Sequence, residues 1–359
     1  MNTQKILSRF ILLFFLLVGA YMFAQETPTP KSYVAYKTSE KITLDGLANE
    51  SDWQKAPFTD NFIDIEGKKT PKYQTNVKML WNDNYLYFYA KIQEPHVWGT
   101  LKQRDTVIFH NNDFEIFIDP DGDSHNYMEF EMNALNTIWD LFLVKPYRDP
   151  APVLNGWDIH GIKTAVHIDG TLNNPNDTDK GWSVEIAMPW KAIAEANNNT
   201  KPSNDFWRIN FSRVNWQHTI KDGKYSRKTD ASGKRLPEYN WVWSPQWVIN
   251  MHEPEKWGYV YFSANSVEDP VTFTIPKDEK IKWLLFDLYR KQKSYFNKNG
   301  KWATKISDLI KNPVIFEAKT INLKLENYTG GWQISAESPY TQNTYRITTD
   351  SKLITIPKN

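Results

Sequence analysis

Between residues 112 and 139 the chain reads NDFEIFIDPDGDSHNYMEFEMNALNTIW, two alternating runs on either side of Pro-Asp-Gly. Strict alternation has the period of a strand, and Pro-Asp-Gly is a hairpin turn signal. In the first run Phe114, Ile116 and Ile118 share one face, with Asp113, Glu115 and Phe117 on the other. In the second, Phe130 and Met132 alternate with Glu129, Glu131 and Asn133. A sheet built from this pair has an apolar face for a core and a second face crowded with carboxylates and amides. The second face reads either as ordinary solvated surface or as a polar floor suited to hydroxyl-rich ligands.

The same texture continues on both sides. Strands are expected at 33–36, 42–44, 75–81, 85–92, 137–144, 161–168, 182–189, 207–215 and 257–263, separated by Asn-Asp, Asp-Gly and Asn-rich turns. Two short helices are expected, at 49–56, stopped by Pro57, and at 189–196, where Pro189 occupies a helix start. Many short strands with little helix give a mainly β chain, an immunoglobulin-like or jelly-roll-type β-sandwich over residues 32–263.

Charge narrows the partners. With 43 Lys+Arg against 42 Asp+Glu, the net charge of +1 provides no field for nucleic acid or an anionic membrane. Aromatic residues make up 15% of the chain, including 16 Trp. Most are expected in the core, where large rings suit strands. Some suit stacking on flat sugar rings, which need an apolar platform beside fixed polar groups.

The first 25 residues read as a signal peptide: Lys5 and Arg9, an apolar run at 10–20, and a small polar exit near Ala24 and Gln25. The run is short for a membrane span. There are no cysteines, hence no disulfides and no lipid attachment at a new N-terminal Cys. An exported protein of a Gram-negative bacterium, in the periplasm or at the cell surface, is the expectation.

Six stretches in order carry a family resemblance: DGLANESDW from Asp45, VKMLWNDNYLYFYAKIQEP from Val77, NDFEIFIDP from Asn112, YMEFEMNALNTIWD from Tyr127, KGWSVEIAMPW from Lys180 and EKWGYVYF from Glu255. Together they resemble the carbohydrate-binding module family 9 domain, a β-sandwich found on xylanases and in free-standing exported proteins. The resemblance implies an oligo- or polysaccharide partner and a setting beside polysaccharide-degrading enzymes. It also implies site residues. The family's strand glutamate matches Glu115 and its strand asparagine Asn133, while its two clamp tryptophans fall at His110 and near Met251 and an arginine at Glu131. Both stacking platforms and one charge therefore differ here. Replacements are sought among Trp98, Trp216, Trp241, Trp243 and Trp247, with Trp243 or Trp247 taking the stacking role and Arg213 supplying a cation near Glu115 or Glu131.

Two cofactor readings stay open. Asp119, Asp121 and Asp123 in DPDGDS offer hard oxygens at a spacing calcium favours, and family members often hold structural calcium; the alternative is a polar turn without an ion. Relatives of the fold hold haem between Met and His or Lys, so Met251, His252, His96 and His110 mark a haem-binding electron-transfer alternative. Catalysis is not expected. Paired carboxylates such as Asp113/Glu115 or Glu129/Glu131 occur at i and i+2 of one strand, a spacing that usually means a hydrogen-bonded row.

Residues 264–276 read as a linker, and 277–359 as a small α+β extension. It comprises an amphipathic helix at 280–296 ended by Asn299-Gly300, a short helix at 304–310, and three or four strands.

Overall fold

Alternation becomes strand almost everywhere it was expected. In the computed structural model, which describes residues 28–311 and 313–357, the first strands are β1 (Ser32–Lys37), β2 (Ile63–Asp64), β3 (Thr75–Trp81) and β4 (Tyr85–Gln93). The hairpin follows as β5 (Asp113–Asp119) and β6 (Tyr127–Asn133), continued by β7 (Ile138–Leu143), β8 (Val153–Leu154), β9 (Lys163–Asp169) and β10 (Gly181–Pro189). Then come β11 (Asp205–Asn215), the small hairpin β12 (His218–Lys221) and β13 (Lys224–Arg227), β14 (Tyr239–Val242) and β15 (Gly258–Ser263). The signal peptide expected at residues 1–25 lies outside the described residues.

One strand is missing. Residues 42–44 run without regular structure because their amides are taken by side chains. Thr43 N donates to Glu50 Oε1 at 2.7 Å and Asp45 N to Glu185 Oε2 at 3.0 Å, leaving no ladder to join. The two short helices are α1 (Ser51–Lys55) and α2 (Trp190–Ile193).

Main-chain pairing links the strands in the order β8-β7-β6-β5-β11-β15-β1-β3-β4-β10-β9, with β14 and β2 added beside β11. The curled sheet folds over to enclose its apolar faces, the β-sandwich expected. Met79, Phe88 and Val184 from one limb share a core with Phe114, Ile116, Phe130, Met132 and Phe211 from the other. The seam is β1, which runs parallel to both β15 (Ser32↔Tyr259) and β3 (Tyr36↔Leu80).

The C-terminal residues form the expected α+β portion. Helix α3 (Glu279–Asn299) ends on Gly300, whose φ of 67° is the left-handed conformation glycine adopts without a Cβ penalty. Ile281, Leu285, Leu288 and Tyr289 lie on one helical face and pack on the sheet of β18 (Leu323–Tyr328), β19 (Gly331–Glu337), β20 (Thr344–Thr348) and β21 (Leu353–Ile356). β16 (Ile315–Phe316) and β17 (Lys319–Thr320) form a short ribbon before it. From Lys31 onward the chain is one compact unit.

Contacts at Glu279, which accepts Tyr259 Oη at 2.7 Å and pairs with Arg208, and in two further zones bind this portion to the sandwich. Arg148 is bidentate on Glu255, at 3.1 and 3.0 Å, while Arg290 of α3 bonds Glu253 and Glu255. Nearby, Tyr289 Oη donates to Asp149 at 2.7 Å, with Lys293 on the same carboxylate. In the second zone Leu353 N donates to Asp123 O at 3.1 Å and Ser124 Oγ to Ser351 O at 2.9 Å.

Candidate functional site

The β5–β6 register pairs Asp113 with Asn133, Glu115 with Glu131 and Phe117 with Glu129. Cross-strand partners share a face, so all six side chains stand together. The neighbouring strands add Ser212 of β11 opposite Glu115 and Trp139 of β7 opposite Glu131. The polar face is not solvated. Asp113 is 0%, Glu115 5%, Glu129 6% and Glu131 1% exposed. A second apolar cluster covers its lower end: Ile65, Phe117, Tyr127, Leu141, Val242, Met251 and Trp257. At the upper end the 3-10 turn Ile108–His110 closes in, with Phe109 N donating to Glu131 Oε2 at 2.8 Å.

Four carboxylates are thus held in a low-dielectric pit. Burial pushes Asp113, Glu129 and Glu131 well above the usual carboxylate range, and their mutual repulsion with Glu115 adds to it. Glu115 is pushed up to about 7, chiefly by burial. Among the described residues none of the four forms an ion pair with Lys or Arg. His252 Nε2 lies 3.9 Å from Glu129 Oε2. Burial lowers that imidazole to about 3, so it brings no charge. Its Nδ1 shares a hydrogen bond with Tyr127 Oη at 2.9 Å, and the Tyr147 ring packs edge-on against it at 4.2 Å. Tyr147 is 53% exposed, and the Glu129 and Glu131 charges reinforce the effect of burial in raising its hydroxyl. It therefore stands at the mouth of the pit.

Several expected site residues are placed elsewhere. Arg213 is one position beyond Ser212 on β11, so it points to the opposite face. There it bonds Glu94 Oε2 at 2.7 Å and Thr75 Oγ1 at 3.1 Å and lies over Trp241. Its cation is already matched, and it does not join Glu115. Asn133 is used by the 133–137 turn. Its Oδ1 accepts Leu135 N and Thr137 N, and its Nδ2 donates to Leu101 O.

Trp243 is 1% exposed, and a Cβ on Gly258 would come within 2.3 Å of its ring. It is a core residue and offers no ring face to a ligand. Trp98, Trp216 and Trp241 are buried too, the first two under the β12–β13 hairpin with Tyr225. Trp247 is half-buried against Gly67, with a backbone φ of 57° that an aromatic residue rarely adopts, and no contact joins it to the carboxylates. Met251 packs in the lower apolar cluster, and His110 is the exposed last residue of the turn that caps Glu131. Sequence reasoning missed Ser212, Trp139 and Tyr147. Alternation along 207–215 and 137–144 supplies their faces, but only the strand register makes them neighbours.

The haem ligand types are not brought together. Met251 and His252 are consecutive and engaged as described, while His96 pairs with Tyr225 and His218 in the hairpin cluster.

The 119–123 turn does converge. Side-chain oxygens of Asp119, Asp121 and Asp123 all lie within 4.8 Å of one another. Asp119 accepts Gly122 N and Ser124 N, Asp121 accepts Asp123 N, and Asp123 accepts His125 N, with Lys352 Nζ 3.2 Å from Asp123 Oδ2. Burial and the Asp123 charge raise Asp121 to about 6. This crowding fits a divalent ion's oxygen shell.

Residues 44–210 match the sequence profile of the family described as Carbohydrate family 9 binding domain-like. No curated protein matches the chain. A family 9 carbohydrate binding module from Caldicellulosiruptor kristjanssonii, in complex with cellotriose, is similar at 16% identity and a TM-score of 0.43, over 68% of this chain and 100% of that one. The structure of a family 9 module from the same organism in complex with glucose gives 17% and 0.40, over 67% and 100%. A protein from Bacteroides uniformis, described as a candidate carbohydrate-binding protein, gives 16% and 0.47, over 65% and 100%.

Proposed function

We propose that this chain, with its family 9 binding domain-like domain, is an exported carbohydrate-binding protein that holds its ligand at the mouth of the β5–β6 pit and does not cleave it. The observation that carries the reading is the pit itself, a set of fixed carboxylates inside the family-matched region with an exposed aromatic ring at its edge. The Tyr147 ring offers the apolar platform, and the Glu115 and Glu129 carboxylates accept bonds from sugar hydroxyls.

Cleavage is not part of the proposal, because all four carboxylates are almost wholly buried, at 0 to 6% exposed. Service beside a polysaccharide-degrading hydrolase, in the periplasm or at the surface of a Gram-negative cell, fits the signal-like leader. Among the described residues no helix is long and apolar enough to cross a membrane. In this reading 32–263 is the binding domain, 264–276 its linker and 277–359 the extension, with the 119–123 turn holding a structural calcium.

Glycan-array screening of the chain from residue 26, followed by calorimetry on each hit, tests the proposal. A hydrogen bond to a charged group contributes roughly 1.5–3 kcal/mol, so Glu115→Ala should weaken binding by about tenfold or more. Tyr147→Ala should weaken it as well. Arrays without hits, or hits indifferent to both substitutions, refute the site.

A further inference from the structure

We propose that the pit between Asp113, Glu115 and Glu131 is a binding site for a hard divalent cation of the calcium class. This goes beyond the sugar reading and does not depend on it, since a protein without glycan affinity can hold the ion. One carboxylate oxygen from each of the three lies within 4.8 Å of the others. That span is about twice the 2.3–2.6 Å calcium–oxygen distance, so a single ion between them can touch all three.

The surroundings call for positive charge. Buried carboxylates are stable when paired, protonated or coordinated to metal. Several buried carboxylates elsewhere are paired, Glu94 with Arg213, Glu255 with Arg148 and Arg290, and Asp140 with Arg104, while Glu185, Asp179 and Asp278 are satisfied by backbone amides or hydroxyls. The Asp105–Asp140–Asp158 cluster also has its oxygens within 4.8 Å of one another but already holds the Arg104 guanidinium. The pit has no such partner among the described residues, and Glu129 adds a fourth carboxylate on the same face.

Polar atoms other than the carboxylates point the same way. Ser212 is 0% exposed and stands opposite Glu115. Its Oγ lies near enough to lower the Glu115 pKa, yet it makes no hydrogen bond of ordinary length. Asp113 Oδ2 is likewise buried without a partner, while Oδ1 accepts Val214 N at 3.2 Å. A buried hydroxyl and a buried carboxylate oxygen left unbonded cost stability. Both are satisfied at once by an ion that takes Asp113, Glu115 and Glu131 as ligands with Ser212 Oγ beside them. The small residual exposure of Glu115 and Glu129 marks the way in.

The test starts from chelated, metal-free protein. Calorimetric titration with calcium should count one more ion in the parent than in Glu131→Gln, whereas Asp121→Asn, altered in the 119–123 turn, keeps the pit ion. Glutamine removes a buried charge, so Glu131→Gln should melt no lower than the parent in the absence of metal, yet lose the part of the calcium-induced rise that Asp121→Asn retains. Equal ion counts and affinities in the parent and Glu131→Gln overturn the proposal. Terbium gives a check that leaves every carboxylate in place. Trp139, paired with Glu131 and with a buried, unbonded indole N–H, should sensitise terbium emission that calcium competes away. That emission should fall severalfold in Trp139→Phe. Emission that is unchanged in Trp139→Phe also overturns it. Failure of the glycan arrays leaves these measurements untouched, so the two readings fail separately.

Discussion

Replacing Glu255 by glutamine should weaken the whole molecule through its C-terminal contact. Glu255 is 6% exposed and receives both guanidinium nitrogens of Arg148, at 3.1 and 3.0 Å, with Arg290 on the same carboxylate. Burial alone would raise this carboxyl, but the two arginines outweigh it and hold it well below the usual range. Glutamine leaves two largely enclosed guanidiniums around a neutral group. Removing one partner of a buried pair costs about 3–5 kcal/mol. Glu253 still lies 3.6 Å from Arg148 and bonds Arg290, which places the loss near the lower figure, about 3 kcal/mol.

The unit from Lys31 to Asn359 spans about 330 residues, so its unfolding entropy is roughly 0.7 kcal/mol per kelvin. The melting temperature should then fall by about 4 °C in scanning calorimetry. Glu66→Gln removes the exposed pair with Lys68 and should stay within about 0.5 kcal/mol of the parent. The Glu255 effect should persist in about 0.5 M salt, because enclosed charges are poorly screened. A fall under about 1 °C, or one abolished by salt, would refute the view that this contact stabilises both parts together.

Calcium should raise the melting temperature of the parent, because the ion binds only the folded 119–123 turn and the folded pit; Asp121→Asn should lose part of that rise, and coinciding curves with and without chelator would remove calcium from both places. Metal-free protein should lose stability in the window from about pH 6.5 upward, through the folded value of Glu115 at about 7. The raised carboxylates keep protons in the folded state that the unfolded chain has already released, so rising pH strips stability at up to about 1.4 kcal/mol per group and unit. Glu115, near 7, titrates within that window. His252 acts in the opposite direction, but only below its unfolded value of 6.5, so a chelated melting temperature that is flat or rising across the window contradicts the pit electrostatics. Arg213→Met should cost about 3–5 kcal/mol by stranding Glu94 while leaving glycan affinity unchanged; a selective loss of affinity in urea-melt-matched protein would return Arg213 to the site.

What was legible in the chain was periodicity. The hairpin, its turn and the faces of Glu115 and Glu131 follow from alternation, and the end of α3 follows from Asn299-Gly300. Alternation says which side chains share a face, not what lies over it. The cover on the pit comes from Ile65 and Met251, in segments without a repeat, and from Trp257 at the very start of an expected strand, so a face that reads as solvated is buried. Arg213 was misplaced for a related reason. Its distance from Glu115 depends on the register Ser212↔Glu115, and one residue of offset moves a side chain through the sheet. Trp243 reads as a loop residue by its neighbours Trp241 and Pro245, yet the close approach of Gly258 draws its ring into the core.

The parallel seam at β1 has a kinetic consequence. Ser32 pairs with Tyr259, so the strand that joins the two limbs of the sheet meets a partner more than two hundred residues later. Closing a loop of that length costs roughly 5 kcal/mol of chain entropy before any contact repays it. Hairpins such as β3–β4 and β5–β6 form from local pairs, whereas the seam waits for distant ones, and folds rich in distant pairings are slow. A chain still lacking Gly258–Ser263 has its two limbs, with the first strand held only by its short pairing with β3. The sandwich therefore closes late, as one of the last events of folding, and remains open for as long as those six residues have not arrived.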